Sequence, residues 1–321
     1  MSGNDALWYV ADGRVELRPA GAPRAGEGDV VIRAAYSAIS RGTERLVFRG
    51  RVPTSEYDRM RCPHQEGAFP FPVKYGYALT GEIVGGARHG EKVFALHPHQ
   101  LTAVVKSADA HAVPAGVPLR RATLAANTET ALNVVWDAGV SSGNRVLIVG
   151  AGVLGLLVAM VASGISGTMV TVADIDTSRA PIAAAMGARF ASPADCPRDQ
   201  DVVVHTSASD AGLALALRAA GFEAKVVEAS WYGNRPVAVP LGEDFHARRL
   251  QLISSQVGSV APSHRATWTH ARRLAAALDL LKDARADQLI TREIPFAQAA
   301  EVLPNVLADD SAGLGAVLRY P

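Results

Sequence analysis

RVLIVGAGVLGLLVAMVASGISGTMVTVAD, residues 145–174, decides the fold. Its β-branched ends read as strands and its Leu-, Ala- and Met-rich middle reads as a helix. No charged side chain falls between Val146 and Ala173, a run that exceeds the roughly 20 residues of a bilayer span. Gly150, Gly152, Gly155, Gly164 and Gly167 interrupt that run. We therefore read a buried strand, helix, strand unit of a parallel sheet covered on both faces, and no membrane partner.

Within it, Gly150-Ala151-Gly152-Val153-Leu154-Gly155 joins the first strand to the helix. The first Gly permits a tight turn, the second lets the backbone approach a pyrophosphate, and the third lets helix and strand pack closely. The helix N-terminus then faces the anion. Asp174 closes the next strand, where a carboxylate accepts hydrogen bonds from both hydroxyls of an adenosine ribose and repels a 2′-phosphate. NAD is therefore favoured over NADP, although Arg179 is placed to swing towards such a phosphate or to stay exposed on its helix. A methyltransferase also uses a glycine turn and an acid after the second strand, but needs no preceding β-domain.

Outward from this unit, helices and strands alternate. LRRATLAANTETALNVVWDA reads as a helix before it; SRAPIAAAMGA, DVVVHTS, AGLALALRAAG, AKVVEAS and LQLISSQ read as helix, strand, helix, strand and strand after it. The fold class is α/β, with a doubly wound parallel sheet over 118–257. Residues 1–117 read instead as short strands between Gly and Pro, with a long connection from Arg41 to Tyr77. Residues 258–321 carry a helix with Leu274, Leu278 and Leu281 on one face, and a last strand, AVLRY, returning to the first domain.

Composition agrees with two packed domains. Of 321 residues, 49% are hydrophobic and 20% charged, which is a globular balance. Lys and Arg number 32 against 31 Asp and Glu, so no net field draws nucleic acid. Two cysteines far apart, Cys62 and Cys196, build neither a disulfide framework nor a Cys-rich zinc cluster, and MSGNDALWYV has no secretory pattern. The expected compartment is the cytoplasm.

The order of parts resembles the medium-chain dehydrogenase/reductase superfamily, whose members join a GroES-like β-barrel domain to a Rossmann domain and end back in the first. The resemblance rests on SAISRGTE (37–44), GYALTGEIV (76–84), GEKVF (90–94) and the nucleotide turn. The Ile-Ser-Arg-Gly-Thr-Glu stretch is most similar to the branch that contains bacteriochlorophyllide dehydrogenase. The resemblance implies a homodimer. It also exposes a departure: zinc-dependent members have Cys at Ser40, Gly-His-Glu at Gly76-Tyr77-Ala78, and Cys or Glu near Leu124 to Ala126. A hydroxyl is a poor replacement for a thiolate ligand. The four-Cys lobe is absent as well, so no zinc is expected. His97 and His99, with His64, are the remaining metal candidates; we assign His97 and His99 to a loop lining or to substrate instead.

By resemblance, Ser40 and Tyr77 stand beside the reacting carbon, with Thr43 and Glu44 one turn on. A Ser or Thr hydroxyl relays protons. Two readings stand for Tyr77, as proton donor and as core aromatic, and Glu44 has the alternatives of pairing with Arg41 or capping a turn. Arg41 matches a position near the pyrophosphate and Thr128 one near the nicotinamide. Trp231 and Tyr232, at a strand's carboxyl end, are candidates for the substrate pocket. His246, beside Arg248 and Arg249, either holds an anionic substrate group or is solvated surface. The expected function is a zinc-independent NAD(P)-dependent oxidoreductase acting on a small organic alcohol, carbonyl, C=C or C=N compound. The alternative is a dinucleotide-binding redox sensor or structural protein without turnover.

Overall fold

The computed structural model describes residues 3–309 and 311–321. Two compact units account for them: 1–126 with 233–235 and 290–321, and 127–232 with 236–289. These limits fall later than the expected 117/118 and 257/258. The helix His270–Leu280 belongs to the second unit, and the chain rejoins the first at Ile290.

The second unit is built on a six-stranded parallel sheet in the order Arg189–Ala191, Met169–Ala173, Arg145–Val149, Gln200–His205, Ala220–Glu228, Gln251–Ser254. Numbered along the chain this is 3-2-1-4-5-6, so the strand order reverses between Arg145–Val149 and Gln200–His205. Ligands of open α/β sheets bind outside the carboxyl ends at such a reversal. The apolar run 146–173 resolves into two strands around the helix Val153–Ser163, and no helix is long and apolar enough to cross a membrane among the described residues. Leu147, Val149, Val203 and Val226 fill the sheet interior against Leu213 and Leu217 of the helix Asp210–Ala219.

The segment expected as one helix from Leu119 breaks into Leu119–Ala122 and Ala125–Ala138. Thr123 causes the break locally: its hydroxyl bonds the Arg120 carbonyl at 2.7 Å, the back-bonding by which Thr competes with helix continuation.

In the first unit, the strand Asp29–Ile39 organises a seven-stranded sheet. One of its edges pairs with Leu79–Val84, and the other is shared in tandem by Thr102–Lys106 and the returning strand Gly315–Arg319. A four-stranded sheet holds Arg14–Pro19, Asp5–Ala11, Val73–Lys74 and Glu66–Gly67. The whole is the GroES-like β domain, and the class is α/β as the sequence indicates.

Candidate active site

The glycine turn of the second unit is held from both sides. Gly150 lies at φ +114°, and a Cβ there would meet the Thr206 hydroxyl at 2.7 Å. At Gly155 a Cβ would stand 1.9 Å from the Gly150 carbonyl oxygen, which is the close helix–strand approach the third glycine permits. Gly152, by contrast, has nothing within 4 Å of its missing side chain. That face of the backbone is open. Val153 and Leu154 open the helix that Gly152 caps, so their backbone N–H groups belong to the unbonded first turn.

Asp174 folds back on this turn. One carboxylate oxygen accepts from the Ala151 N–H at 2.5 Å and the other from the Asp176 N–H at 2.9 Å. Arg179 pairs with Asp176 at 2.9 Å and its side chain is largely covered.

In the first unit a buried polar network gathers around Glu44. Ser40 is the N-cap of the helix Arg41–Phe48, and Glu44 reaches back so that one oxygen accepts the Ser40 N–H at 2.7 Å. The other oxygen accepts the Tyr9 hydroxyl at 2.5 Å and lies 2.9 Å from His99 Nε2. His99 Nδ1 is 2.7 Å from the Ser37 hydroxyl, itself 2.8 Å from the Tyr320 hydroxyl. Tyr9, Ser37, Glu44 and His99 are fully buried. An acceptor-only carboxylate at one end orders the protons: His99 donates from Nε2, Ser37 donates to Nδ1, and Tyr320 donates to Ser37. Burial and the Glu44 charge hold the Tyr9 phenol well above its ordinary pKa.

Tyr77 stands on this base. Gly76, at φ +133°, lets the chain pass over the His99 ring, which a Cβ would meet at 2.7 Å. The half-buried Tyr77 phenol lies near the Ser40 and Thr43 side chains, whose hydroxyls act to lower its pKa. Burial first, then the negative charge of Glu44, push its pKa up to about 12 against the lowering effect of those two hydroxyls. The structure thus brings Ser40, Thr43, Glu44 and Tyr77 into one cluster, and adds Tyr9, Ser37 and Tyr320, which sequence reasoning missed. These three are distant in sequence and carried no local motif.

Other expected positions lie elsewhere. Arg41 directs its guanidinium to the Ser311, Gly313 and Leu314 carbonyls, bracing the C-terminal loop rather than presenting a bidentate face to phosphate. His97 and His99 are buried at 3% and 0% exposure, so the expectation that they meet substrate does not match their placement. His97 bonds the Pro98 carbonyl, packs beside His64, and is driven by burial to a pKa of about 3. Thr128 is buried in the helix Ala125–Ala138. Trp231 is half-buried, and the Tyr232 hydroxyl donates to Glu228 at 2.8 Å. His246 is exposed, and its basic neighbours pair with acids, Arg248 with Asp199 and Asp244 and Arg249 with Glu223. Among the described residues no group of three or more His, Cys, Asp or Glu is disposed to hold a metal.

No family model matches the chain. It is 26% identical over 309 residues to 2-desacetyl-2-hydroxyethyl bacteriochlorophyllide A dehydrogenase of Rhodobacter capsulatus, covering 90% of each chain. It is 23% identical over 306 residues to D-guloside 3-dehydrogenase of Escherichia coli K12, covering 85% of this chain and 87% of that one. Among solved structures, an alcohol dehydrogenase from Escherichia coli CFT073 complexed with NADH superposes with a TM-score of 0.77 at 18% identity, over 99% of this chain and 100% of the other. With the strand order and the glycine turn, these similarities show that the chain belongs to the medium-chain, alcohol-dehydrogenase-like superfamily of nicotinamide-dependent dehydrogenases/reductases.

Proposed function

We propose that the chain is a zinc-independent oxidoreductase that uses NAD in preference to NADP and interconverts a small organic alcohol and its carbonyl compound. The observation that carries this reading is the Tyr77 phenol set beside two hydroxyls, Ser40 and Thr43, and the buried Glu44 carboxylate. The dinucleotide fits the residues present: Gly150, Gly152, Val153, Leu154 and Gly155 would hold its pyrophosphate and Asp174 its adenosine ribose. Thr128 is assigned to the same cofactor on resemblance alone. The Arg179–Asp176 pair supports NAD, since it engages a cation that a 2′-phosphate would need.

Zinc does not fit. Ser40 and Tyr77 offer neutral hydroxyls, both ring nitrogens of His99 are bonded to protein groups, and the remaining carboxylate, Glu44, is a single ligand that already accepts from Ser40, Tyr9 and His99. Catalytic zinc takes three His, Cys or carboxylate ligands with free lone pairs.

When bound, the nicotinamide supplies or accepts the hydride. Tyr77, protonated at neutral pH, donates its proton to the substrate oxygen in reduction and takes it back in oxidation. Ser40 and Thr43 donate hydrogen bonds to the resulting phenoxide and pass the proton on. The negative Glu44 keeps Tyr77 in the acid form between turnovers. The Trp231 and Tyr232 segment and the exposed His246 are assigned to substrate recognition. The free thiols Cys62 and Cys196 suit a reducing cytoplasm, and the edge strand Gln251–Ser254 offers unpaired backbone groups for a homodimer.

Fluorescence titration with NADH, NADPH and S-adenosylmethionine tests the cofactor, and a panel of alcohols and carbonyls tests turnover. The reading predicts a response to NADH at lower concentration than to NADPH and none to S-adenosylmethionine. Binding without turnover would favour a redox sensor, and stoichiometric zinc in the purified protein would overturn the metal assignment.

A further inference from the structure

The carboxyl ends of Gln200–His205 and Ala220–Glu228 carry a second polar cluster, wholly within the second unit. His205 is fully buried, with Nδ1 2.6 Å from Glu228 Oε2 and Nε2 2.6 Å from the hydroxyl of the exposed Ser207. Glu228 is held further: Oε2 accepts the Tyr232 hydroxyl at 2.8 Å and Oε1 the Ser230 N–H at 2.7 Å. Burial works to raise the Glu228 pKa, but the His205 and Ser230 bonds outweigh it, so the net shift is downward and the group is ionised. An ionised Glu228 makes Nδ1 the donor and leaves Nε2 as the acceptor facing Ser207. On the far side, Ser209 accepts the Gly212 N–H at 3.0 Å, so its own proton points to the Ser207 oxygen 2.9 Å away. One proton order satisfies every group, and it directs the Ser207 hydroxyl proton to His205.

Three further features fit a nucleophile. Ser207 lies in a strand-to-helix turn whose next residue, Ala208, is held at φ +51°, a left-handed conformation rare outside glycine. Gly212 has no Cβ; one would stand 2.2 Å from the Ser207 hydroxyl and 2.7 Å from His205 Nε2. Gly150 likewise lacks the Cβ that would crowd the Ser207 backbone nitrogen at 2.9 Å. Serine, imidazole and carboxylate in this sequence of bonds are recognised by geometry and role, whatever the fold that carries them.

We propose that Ser207, His205 and Glu228 form a nucleophilic site that accepts the acyl group of a small carboxylic ester and hydrolyses it, an activity separate from hydride transfer. Ser207 Oγ attacks the ester carbonyl while its proton passes to His205 Nε2. The carbon–oxygen bond to the alcohol breaks, and the alcohol leaves with that proton. Water then attacks the acyl-serine with His205 as base, releasing the carboxylic acid and restoring Ser207. Only water is consumed, and no redox change occurs.

The test is to treat the full chain with a fluorophosphonate, in which the Ser207 oxygen forms a bond to phosphorus as fluoride departs, and to locate the adduct by peptide mass spectrometry. Stoichiometric modification of Ser207 is expected, abolished in Ser207→Ala and slowed at least 10-fold in Glu228→Gln. A burst of p-nitrophenol from p-nitrophenyl acetate, lost in Ser207→Ala with circular dichroism unchanged, is the second readout. Absence of an adduct, labelling elsewhere, or equal labelling of Glu228→Gln overturns the proposal. None of these outcomes depends on nicotinamide turnover.

Discussion

Glu44 and His99 meet at 2.9 Å with both side chains at 0% exposure. Glu44 also accepts from Tyr9 and the Ser40 backbone, and the second ring nitrogen of His99 meets Ser37. Glu44→Ala is expected to destabilise the protein by about 3–5 kcal/mol, because it leaves buried donors on Tyr9 and His99 without an acceptor. Urea unfolding measures this; a loss below about 1 kcal/mol would show that the network is not structural.

Tyr77→Phe removes one oxygen and little packing. Turnover on a responsive carbonyl should fall 10²–10⁴-fold, the usual contribution of a positioned acid, while NADH affinity and the urea midpoint stay nearly constant. An unchanged rate would return Tyr77 to the role of core aromatic.

The glycine turn gives a contrast. Gly155→Ala places a Cβ 1.9 Å from the Gly150 carbonyl and should destabilise the fold by about 1–3 kcal/mol or more. Gly152→Ala meets no atom within 4 Å and should leave stability unchanged while weakening NADH binding at least 10-fold. Thermal unfolding and NADH titration on both variants separate the two effects; equal NADH affinity in Gly152→Ala would mean the open face holds no phosphate.

Asp174→Ala should weaken NADH binding by about 10-fold, the loss of one charge-assisted contact, and narrow the gap to NADPH. Titration with both cofactors checks it. Preference for NADPH in the unaltered protein would contradict the assignment of Asp174 to the ribose.

His97 predicts acid sensitivity. Burial lowers its folded pKa from 6.5 to about 3, so between those values the unfolded chain binds a proton that the folded one refuses. Stability from this group is therefore intact above pH 6.5 and falls with decreasing pH, at up to about 1.4 kcal/mol per unit. His97→Gln should flatten the acid limb of unfolding free energy against pH; identical slopes would show that His97 protonates within the fold.

Where a function is written in a short interval of chain, the sequence discloses it. The turn from Gly150 to Gly155 and the acid at Asp174 are local: the glycines stand at fixed offsets between strand and helix, and Asp174 directly follows the next strand. The hydroxyls at Ser40 and Tyr77 were legible for the same reason. The break at Thr123 was not, since a single hydroxyl bond outweighed the propensity of the surrounding helix.

By itself, then, the sequence determined the α/β class, the two-part organisation, the glycine turn and the presence of hydroxyls at Ser40 and Tyr77. Only the tertiary structure decided what those hydroxyls rest on. Tyr9, Glu44, His99 and Tyr320 come from a strand, a helix and two loop positions far apart in the chain, and His205 meets Glu228 only through the pairing of two parallel strands. A buried charge must find partners through space, and no periodicity along the chain records which ones it finds.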